Sequence, residues 1–418
     1  MFRKHPLNAT TVFLFMEMAD TLCLGLIFTA SSLYEATTAA LTPLELVLVG
    51  TTLEASLFLF EVPTGIVADV YSRRLSIIIG YLLMGVGFMV EGLFPSFLPI
   101  LLAQLIFGLG YTFTSGAKQA WITDEVGEQS ANNLFLRAAR LALYATLAGL
   151  GLTALIGANN AAIPIRAGAL GIFLIGISLA IIMPETGFHP TPQEARNTWQ
   201  HMVYVFRQGL KAVRTRPRLV NLVFIALFYG VYSEGFDRLK VKLLLDHFNL
   251  PVWLGSNQVV FFAAIRAIGT VLSIFAIRFV ERRVNTGKPS AIGRALLLVT
   301  GSITAAMLAF AISPILSLAV GAMIIVDLLR NVAEPLQSTW INQKLDPDTR
   351  ATVYSMFGQV DAIGQIGGGP LIGLIGAFSV RLAMFISAML LSPALWFIAR
   401  ANRQTAMDTR LAEPESAS

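Results

Sequence analysis

Apolar runs long enough to cross a bilayer recur twelve times along this chain. They fall at about 10–36, 44–68, 75–94, 97–121, 132–157, 163–183, 219–245, 253–279, 291–312, 315–341, 351–376 and 380–399. A hydrocarbon layer ~30 Å thick takes about 20 residues of helix. Lipid offers no partner to a free backbone amide, so such runs are expected as helices. The seventh run is ambiguous at its end. Its apolar character decays into Asp237-Arg238-Leu239-Lys240-Val241-Lys242, which either closes the span or continues it as an amphipathic turn. The longest polar stretch, 184–218, separates the sixth run from the seventh. It opens Pro184-Glu185-Thr186-Gly187. It then places Trp199, Met202, Val203, Phe206 and Leu210 on one helical face beside Arg207, Lys211 and Arg214. That pattern fits a basic helix lying on an anionic leaflet, and it fits a solvated linker equally well. The expected organisation is a six-helix bundle over 1–183, a cytoplasmic linker over 184–218, a second bundle over 219–400 and a disordered cytoplasmic tail over 401–418.

Composition agrees with the pattern. Hydrophobic residues make up 55% of the chain and charged residues only 13%, against about a quarter charged in soluble domains. The net charge of +5 is dispersed between apolar runs, which argues against a nucleic-acid partner. Of the 30 Lys and Arg residues, 22 fall on one side of the predicted stack and 4 on the other. Lys118, Arg238, Arg266 and Arg330 lie within the runs. Basic loops face the cytoplasm, so both termini are expected there, as an even number of spans also requires. The N-terminus carries Arg3 and Lys4, but the run that follows is about 25 residues long and contains Glu17 and Asp20, unlike a cleavable signal. The single cysteine, Cys23, forms no intramolecular disulfide. The four histidines are scattered, so no metal site is expected. No P-loop or nucleophilic constellation is present, so neither an enzyme, nor ATP drive, nor a cofactor is expected.

The two halves repeat one another. Trp121-Ile122 recurs as Trp340-Ile341, and Leu155-Ile156-Gly157-Ala158 as Leu374-Ile375-Gly376-Ala377, both at an offset of 219 residues. Glu17-Met-Ala-Asp20-Thr-Leu22 recurs as Glu234-Gly-Phe-Asp237-Arg-Leu239 at 217. Each match joins corresponding runs of the two halves, which points to duplication. A parallel six-plus-six repeat is a carrier architecture in which substrate is expected near the bilayer midplane between the halves.

After the second run the chain reads Gly65-Ile-Val-Ala-Asp69-Val-Tyr-Ser-Arg73-Arg74. This resembles the loop 2–3 signature of the major facilitator superfamily, Gly-x-x-x-Asp-(Arg/Lys)-x-Gly-Arg-(Arg/Lys). The resemblance implies an all-α membrane protein of twelve helices in two pseudo-symmetric bundles. It also implies that Gly65, Asp69, Arg73 and Arg74 help to steady the outward-facing state, and that the protein is a monomer. Val70 and Ser72 depart from the signature, which implies a weaker latch. Gln104, ahead of Gly108 and Gly110, stands about where proton-coupled members often carry arginine. A glycine-rich string, Gly364 to Gly373 around Pro370, lies in the eleventh run.

Ionisable residues inside a span mark function unless they are paired. Nine acids are assigned to the runs: Glu17, Asp20, Glu54, Glu61, Glu234, Asp237, Asp327, Glu334 and Asp361. They face four bases. Glu17 and Asp20 share one helical face, as do Glu234 and Asp237, and two carboxylates so close suit the uptake of a proton. The cavity and coupling candidates are Glu17, Asp20, Glu54, Glu234, Asp237, Arg266, Asp327, Arg330 and Asp361. Structural alternatives are an ion pair of Asp237 with Arg238 or Lys240, a pair of Glu61 with the loop motif or Lys118, and a network of Asp327, Arg330 and Glu334 along one helix. Aromatic residues, among them Phe28, Tyr229 and Tyr232, are placed either in a cavity or in packing. The expected function is proton-coupled export of small amphipathic or cationic compounds across the plasma membrane. A proton-linked uptake symporter for a metabolite or anion, with Arg266 and Arg330 as anion holders, is the alternative, together with a lipid flippase on the same fold.

Overall fold

Where they are described, the apolar runs fold as helices, the fourth as two, in the computed structural model of the protein, which describes residues 7–190, 207, 217–251, 258–285, 287–342 and 347–412. The helices are α1 (Ala9–Thr37), α2 (Pro43–Val70), α3 (Arg73–Leu93), α4 (Phe97–Thr114), α5 (Ala117–Val126), α6 (Glu128–Ile156) and α7 (Ala162–Ile182), followed by α8 (Pro217–His247), α9 (Gln258–Arg283), α10 (Pro289–Ile312), α11 (Leu316–Asn342), α12 (Pro347–Phe378) and α13 (Val380–Ala412). Counting α4 and α5 as one span, twelve are long and apolar enough to cross a membrane among the described residues. The ambiguous seventh run is one uninterrupted helix to His247. The last helix runs to Ala412, beyond the expected bundle limit of 400. Residues 400–412 contain no glycine or proline to stop it. The proposed basic surface of the linker falls on 191–206 and 208–216, and the end of the tail on 413–418, all outside the described residues.

Sequence signals set the boundaries. Thr42 caps α2 in a reciprocal box, with the Glu45 carboxylate accepting from Thr42 N at 2.8 Å, and Pro43 occupies the first helical position. Ser72 caps α3, its Oγ accepting from Leu75 N at 2.9 Å. The break between α4 and α5 was not foreseen. Ser115 is extended and Gly116 takes φ +70°, a conformation that a side chain disfavours. The 219-residue offset carries Gly116 onto Pro335, which lies inside α11.

The chain divides into two compact units. One comprises Met1–Glu45, Thr52–Met202 and Pro251–Ala264; the other comprises Leu46–Thr51, Val203–Leu250 and Ile265–Ser418. In the first unit α1 packs on α6 and α7, and α3 on α4 and α7. In the second, α8 packs on α12 and α13, and α10 on α11 and α13. Corresponding spans therefore meet corresponding spans, as the repeat predicts. Glycines set the close approaches, as they do where lipid supplies no hydrophobic drive between helices. A Cβ on Gly80 of α3 would lie 2.6 Å from Gly110 O of α4, and one on Gly110 would lie 2.7 Å from Gly80 O. The glycine-rich string of α12 serves packing in the same way: Gly364 and Gly368 lie against the α8 backbone at Leu227 and Val231. The second unit's core includes Leu222, Ile225, Leu296, Leu336, Trp340 and Ile398. The repeat partners Trp121 and Trp340 are each 1% exposed.

Candidate functional site

The first unit holds an acid pair around one lysine. Glu17 and Asp20 stand one turn apart on α1. Lys118, the second residue of α5, reaches both: its Nζ is 3.1 Å from Glu17 Oε1 and 3.0 Å from Asp20 Oδ2. The break at Ser115–Gly116 is what starts a new helix at this depth and presents Lys118 at its beginning. The Tyr81 ring of α3 stands beside the ammonium, its centre 5.9 Å from Nζ. Two carboxylates and one ammonium leave this group with one net negative charge when all are ionised. Asp20 is 8% exposed, and its Oδ1 is buried and accepts no hydrogen bond. Glu17 and Lys118 remain partly accessible, with side-chain exposures of 26% and 20%. Further along the same face of α1, past Thr21 and Leu24, comes Phe28. Its ring meets Phe107 of α4 at 5.9 Å, and Phe107 in turn meets Tyr111 at 6.1 Å. Acidic and aromatic surfaces thus follow one another along α1 and α4.

The second unit answers with a neutral cluster. Arg330 of α11 forks onto Asp237 of α8, Nη1 to Oδ1 at 2.7 Å and Nη2 to Oδ2 at 2.9 Å. Lys240 donates to Asp327 Oδ1 at 3.0 Å and lies 3.5 Å from Asp237 Oδ1. Arg238 pairs with Glu234 at 3.0 Å. Three acids meet three bases. Asp361 accepts from Gln365 Nε2 at 2.9 Å, and Arg266, exposed on α9, stands within electrostatic reach of Asp327. The expected run of Asp327, Arg330 and Glu334 along one helix is not what forms. Arg330 and Asp327 both turn to α8, and Glu334 is exposed. Asp237 keeps Lys240 as foreseen, but its principal partner is Arg330 rather than Arg238. Lys118 is engaged by Glu17 and Asp20 rather than by Glu61, which is exposed; Glu54 is half-buried on α2.

The loop motif forms a clasp at the end of the first unit. Arg73 pairs with Asp124 of α5. Ser72 Oγ donates to Glu185 Oε2 at 2.7 Å, and Arg74 N donates to Glu185 Oε1 at 2.9 Å. Arg74 also reaches Ala180 O at 2.7 Å. Glu125 accepts from Thr186 Oγ1 and Gly187 N, and Trp121 Nε1 donates to Pro184 O at 2.8 Å. Ser72, read from the sequence as a weakening departure, is both a helix cap and a donor. Asp69 is half-buried one turn before the loop, and a Cβ on Gly65 would meet nothing within 4 Å. Glu185, Asp124 and Glu125 were missed because they sit at the ends of other spans, where nothing local marks them.

Glu91 was missed within the third run itself. It is fully buried in α3, with Ser31 Oγ donating to Oε1 at 2.7 Å and Gln104 Nε2 to Oε2 at 3.0 Å. Tyr34 OH donates to the Glu91 carbonyl at 2.9 Å, and Arg166 Nε to Gly92 O at 2.7 Å. Gln104 therefore serves a buried carboxyl. A buried oxygen that loses its donor costs about 1–3 kcal/mol. Replacing Gln104 by Leu is thus expected to lower stability by about 2 kcal/mol, and Ser31→Ala to act on the other oxygen similarly. Thermal unfolding in detergent checks both, and unchanged midpoints would remove Glu91 from the structural role.

The chain matches the family model described as Major Facilitator Superfamily over residues 11–369. It is 22% identical over 357 residues to the uncharacterized MFS-type transporter YxaM of Bacillus subtilis (strain 168), covering 85% of this chain and 86% of that protein. The crystal structure of the nucleoside transporter NupG superposes with a TM-score of 0.75 at 16% identity, over 94% of this chain and 99% of that one. A bacterial homologue of the human lysosomal transporter Spinster, solved inward-facing and unoccupied, gives 0.70 at 16% identity, over 96% and 97%. At these identities the two structures support the fold alone.

Proposed function

The chain belongs to the major facilitator superfamily, a multi-pass membrane transporter rather than an enzyme, and from that premise we propose that it exports small amphipathic cations in exchange for protons. The observation that carries this reading is the charge of the first unit's site: Glu17 and Asp20 hold one more negative charge than Lys118 offsets, and one Asp20 oxygen is buried with no hydrogen bond. A net negative charge within a membrane span, with one of its oxygens buried, calls for a further cation. A proton and a cationic substrate satisfy that demand by turns, which is the condition for exchange. The exposed aromatic rings of Phe28 and Tyr111 suit the apolar part of such a substrate. In the second unit Glu234, Asp237 and Asp327 are each paired with a base, and Asp361 accepts from Gln365. The transporter works by alternating access in the plasma membrane, as a monomer with both termini in the cytoplasm. The anion-symport alternative is weakened because the fork of Arg330 is already filled by Asp237.

The test is proton flux in proteoliposomes containing a trapped pH dye. A lipophilic amine added on one side is expected to drive protons across in the opposite direction. Asp20→Asn and Glu17→Gln are each expected to lower that flux by at least about tenfold, the scale of one lost charge-assisted hydrogen bond. Transport indifferent to an imposed pH gradient would remove the coupling.

A further inference from the structure

Resting on the cation-export reading, we propose that the Glu17–Asp20 pair is a binding site for primary and secondary ammonium groups, and that Lys118 is a tethered stand-in for the transported amine.

The donor and acceptor inventory supports this directly. An –NH3+ group has three donors. Lys118 Nζ donates to Asp20 Oδ2 at 3.0 Å and is ion-paired with Glu17 Oε1 at 3.1 Å, while Asp20 Oδ1 stays buried and receives nothing. The cradle therefore holds a buried acceptor that its tethered occupant does not use. An untethered ammonium arriving in the same place is free to orient its third N–H toward Oδ1. A quaternary nitrogen carries no N–H and leaves the carboxylate oxygens without donors, so this chemistry separates amines by their hydrogens rather than by their charge. Aromatic cages make the opposite choice. Here the flanking ring is Tyr81, its centre 5.9 Å from Nζ.

The stand-in also has a way to leave. Lys118 follows directly on the Ser115–Gly116 break and begins a separate ten-residue helix. A change of backbone angles at Gly116 moves Nζ away from α1 without unwinding α4. Among the described residues, no other cation is ion-paired with Glu17 or Asp20. Cys23 shares its helix, and Tyr81 comes from α3. Arg137, Arg140 and Tyr144 on α6 are exposed, and Arg166 on α7 donates to Gly92 O.

Equilibrium binding in detergent, with no gradient present, tests the assignment. The probes are 2-phenylethylammonium and its N,N,N-trimethyl analogue, titrated calorimetrically against the full chain. The wild type is expected to bind the primary amine at least about tenfold more tightly than the quaternary analogue, the scale of a charge-assisted hydrogen bond. Lys118→Ala is expected to tighten primary-amine binding by about tenfold, because the competitor is gone. Lys118→Gln, which keeps the length and loses the charge, is expected to act in the same direction, and it serves if the alanine variant unfolds. Asp20→Asn is expected to weaken binding by at least about tenfold. Equal affinity for the two probes, or no tightening in either folded Lys118 variant, would overturn the proposal. Because no proton gradient enters, amine-selective binding without proton flux would leave this site standing and refute the exchange mechanism. Flux that treats both probes alike would do the reverse.

Discussion

Replacing Arg330 by Met is expected to destabilise the second unit by about 2 kcal/mol. The substitution leaves Asp237 without both of its fork hydrogen bonds, at 2.7 and 2.9 Å. Removing one partner of a fully buried pair costs about 3–5 kcal/mol. Here Arg330 and Asp237 keep 28% and 39% of their side-chain surface accessible, which reduces that figure. Lys240 reduces it further, standing 3.5 Å from the same carboxylate, although its closer contact is Asp327. At about 2–4 °C per kcal/mol for a unit of this size, the midpoint in detergent should fall by roughly 4–8 °C. Adding Asp237→Asn to Arg330→Met removes the stranded charge and should recover at least about half of the loss. A double variant no more stable than the single would show that the pair's charges are not the source. An unchanged single variant would show that the fork contributes nothing.

A second large effect is expected at the crossing of α3 and α4. Gly80→Ala and Gly110→Ala each press a methyl group onto the opposing carbonyl, 2.6 and 2.7 Å away, and backbone at a close crossing cannot rotate aside as a side chain would. Overpacking of this kind costs about 1–3 kcal/mol per site. The double variant should cost less than the sum, because the first substitution already moves the helices apart. Gly151→Ala in α6 is the contrast. Its Cβ would meet nothing within 4 Å, so the gain in helix propensity, about 0.5–1 kcal/mol, is expected to show unopposed. Thermal midpoints of the four variants provide the check: a rise in all four would mean that helix propensity, and not the crossing, governs these positions.

How much of this was legible in the sequence depends on how local the cause was. Span positions follow from apolar runs, and the seventh span's end was uncertain only because its charges are neutralised by groups far along the chain: Asp237 by Arg330, Lys240 by Asp327. The acid pairs on the first and seventh spans were visible as paired carboxylates three residues apart. What the sequence could not supply was the choice of cation. Lys118 lies some 100 residues from Asp20, and only the break at Gly116 brings it there. A lone glycine inside an apolar run reads as a packing residue, as Gly80 and Gly110 are. Glu91 lay in plain view, a carboxyl in a span, and its signal was its burial potential rather than any motif. Glu185 looked like the first residue of a polar linker, and its role emerges only from the two donors of the loop that meet it.

The alignment of Gly116 with Pro335 across the repeat has a consequence for how the two copies tolerate change. At one position the ladder is interrupted because glycine permits a left-handed residue; at the other proline deletes a donor and holds its own φ fixed. The first joint is permissive and the second compulsory. Exchanging them is therefore not symmetrical. Alanine at 335 restores an ordinary helical residue and lets α11 close its ladder, whereas alanine at 116 keeps the break only by adopting a conformation it disfavours. Duplication has left two irregular spans in register, one able to change its angle at low cost and the other set to a single one.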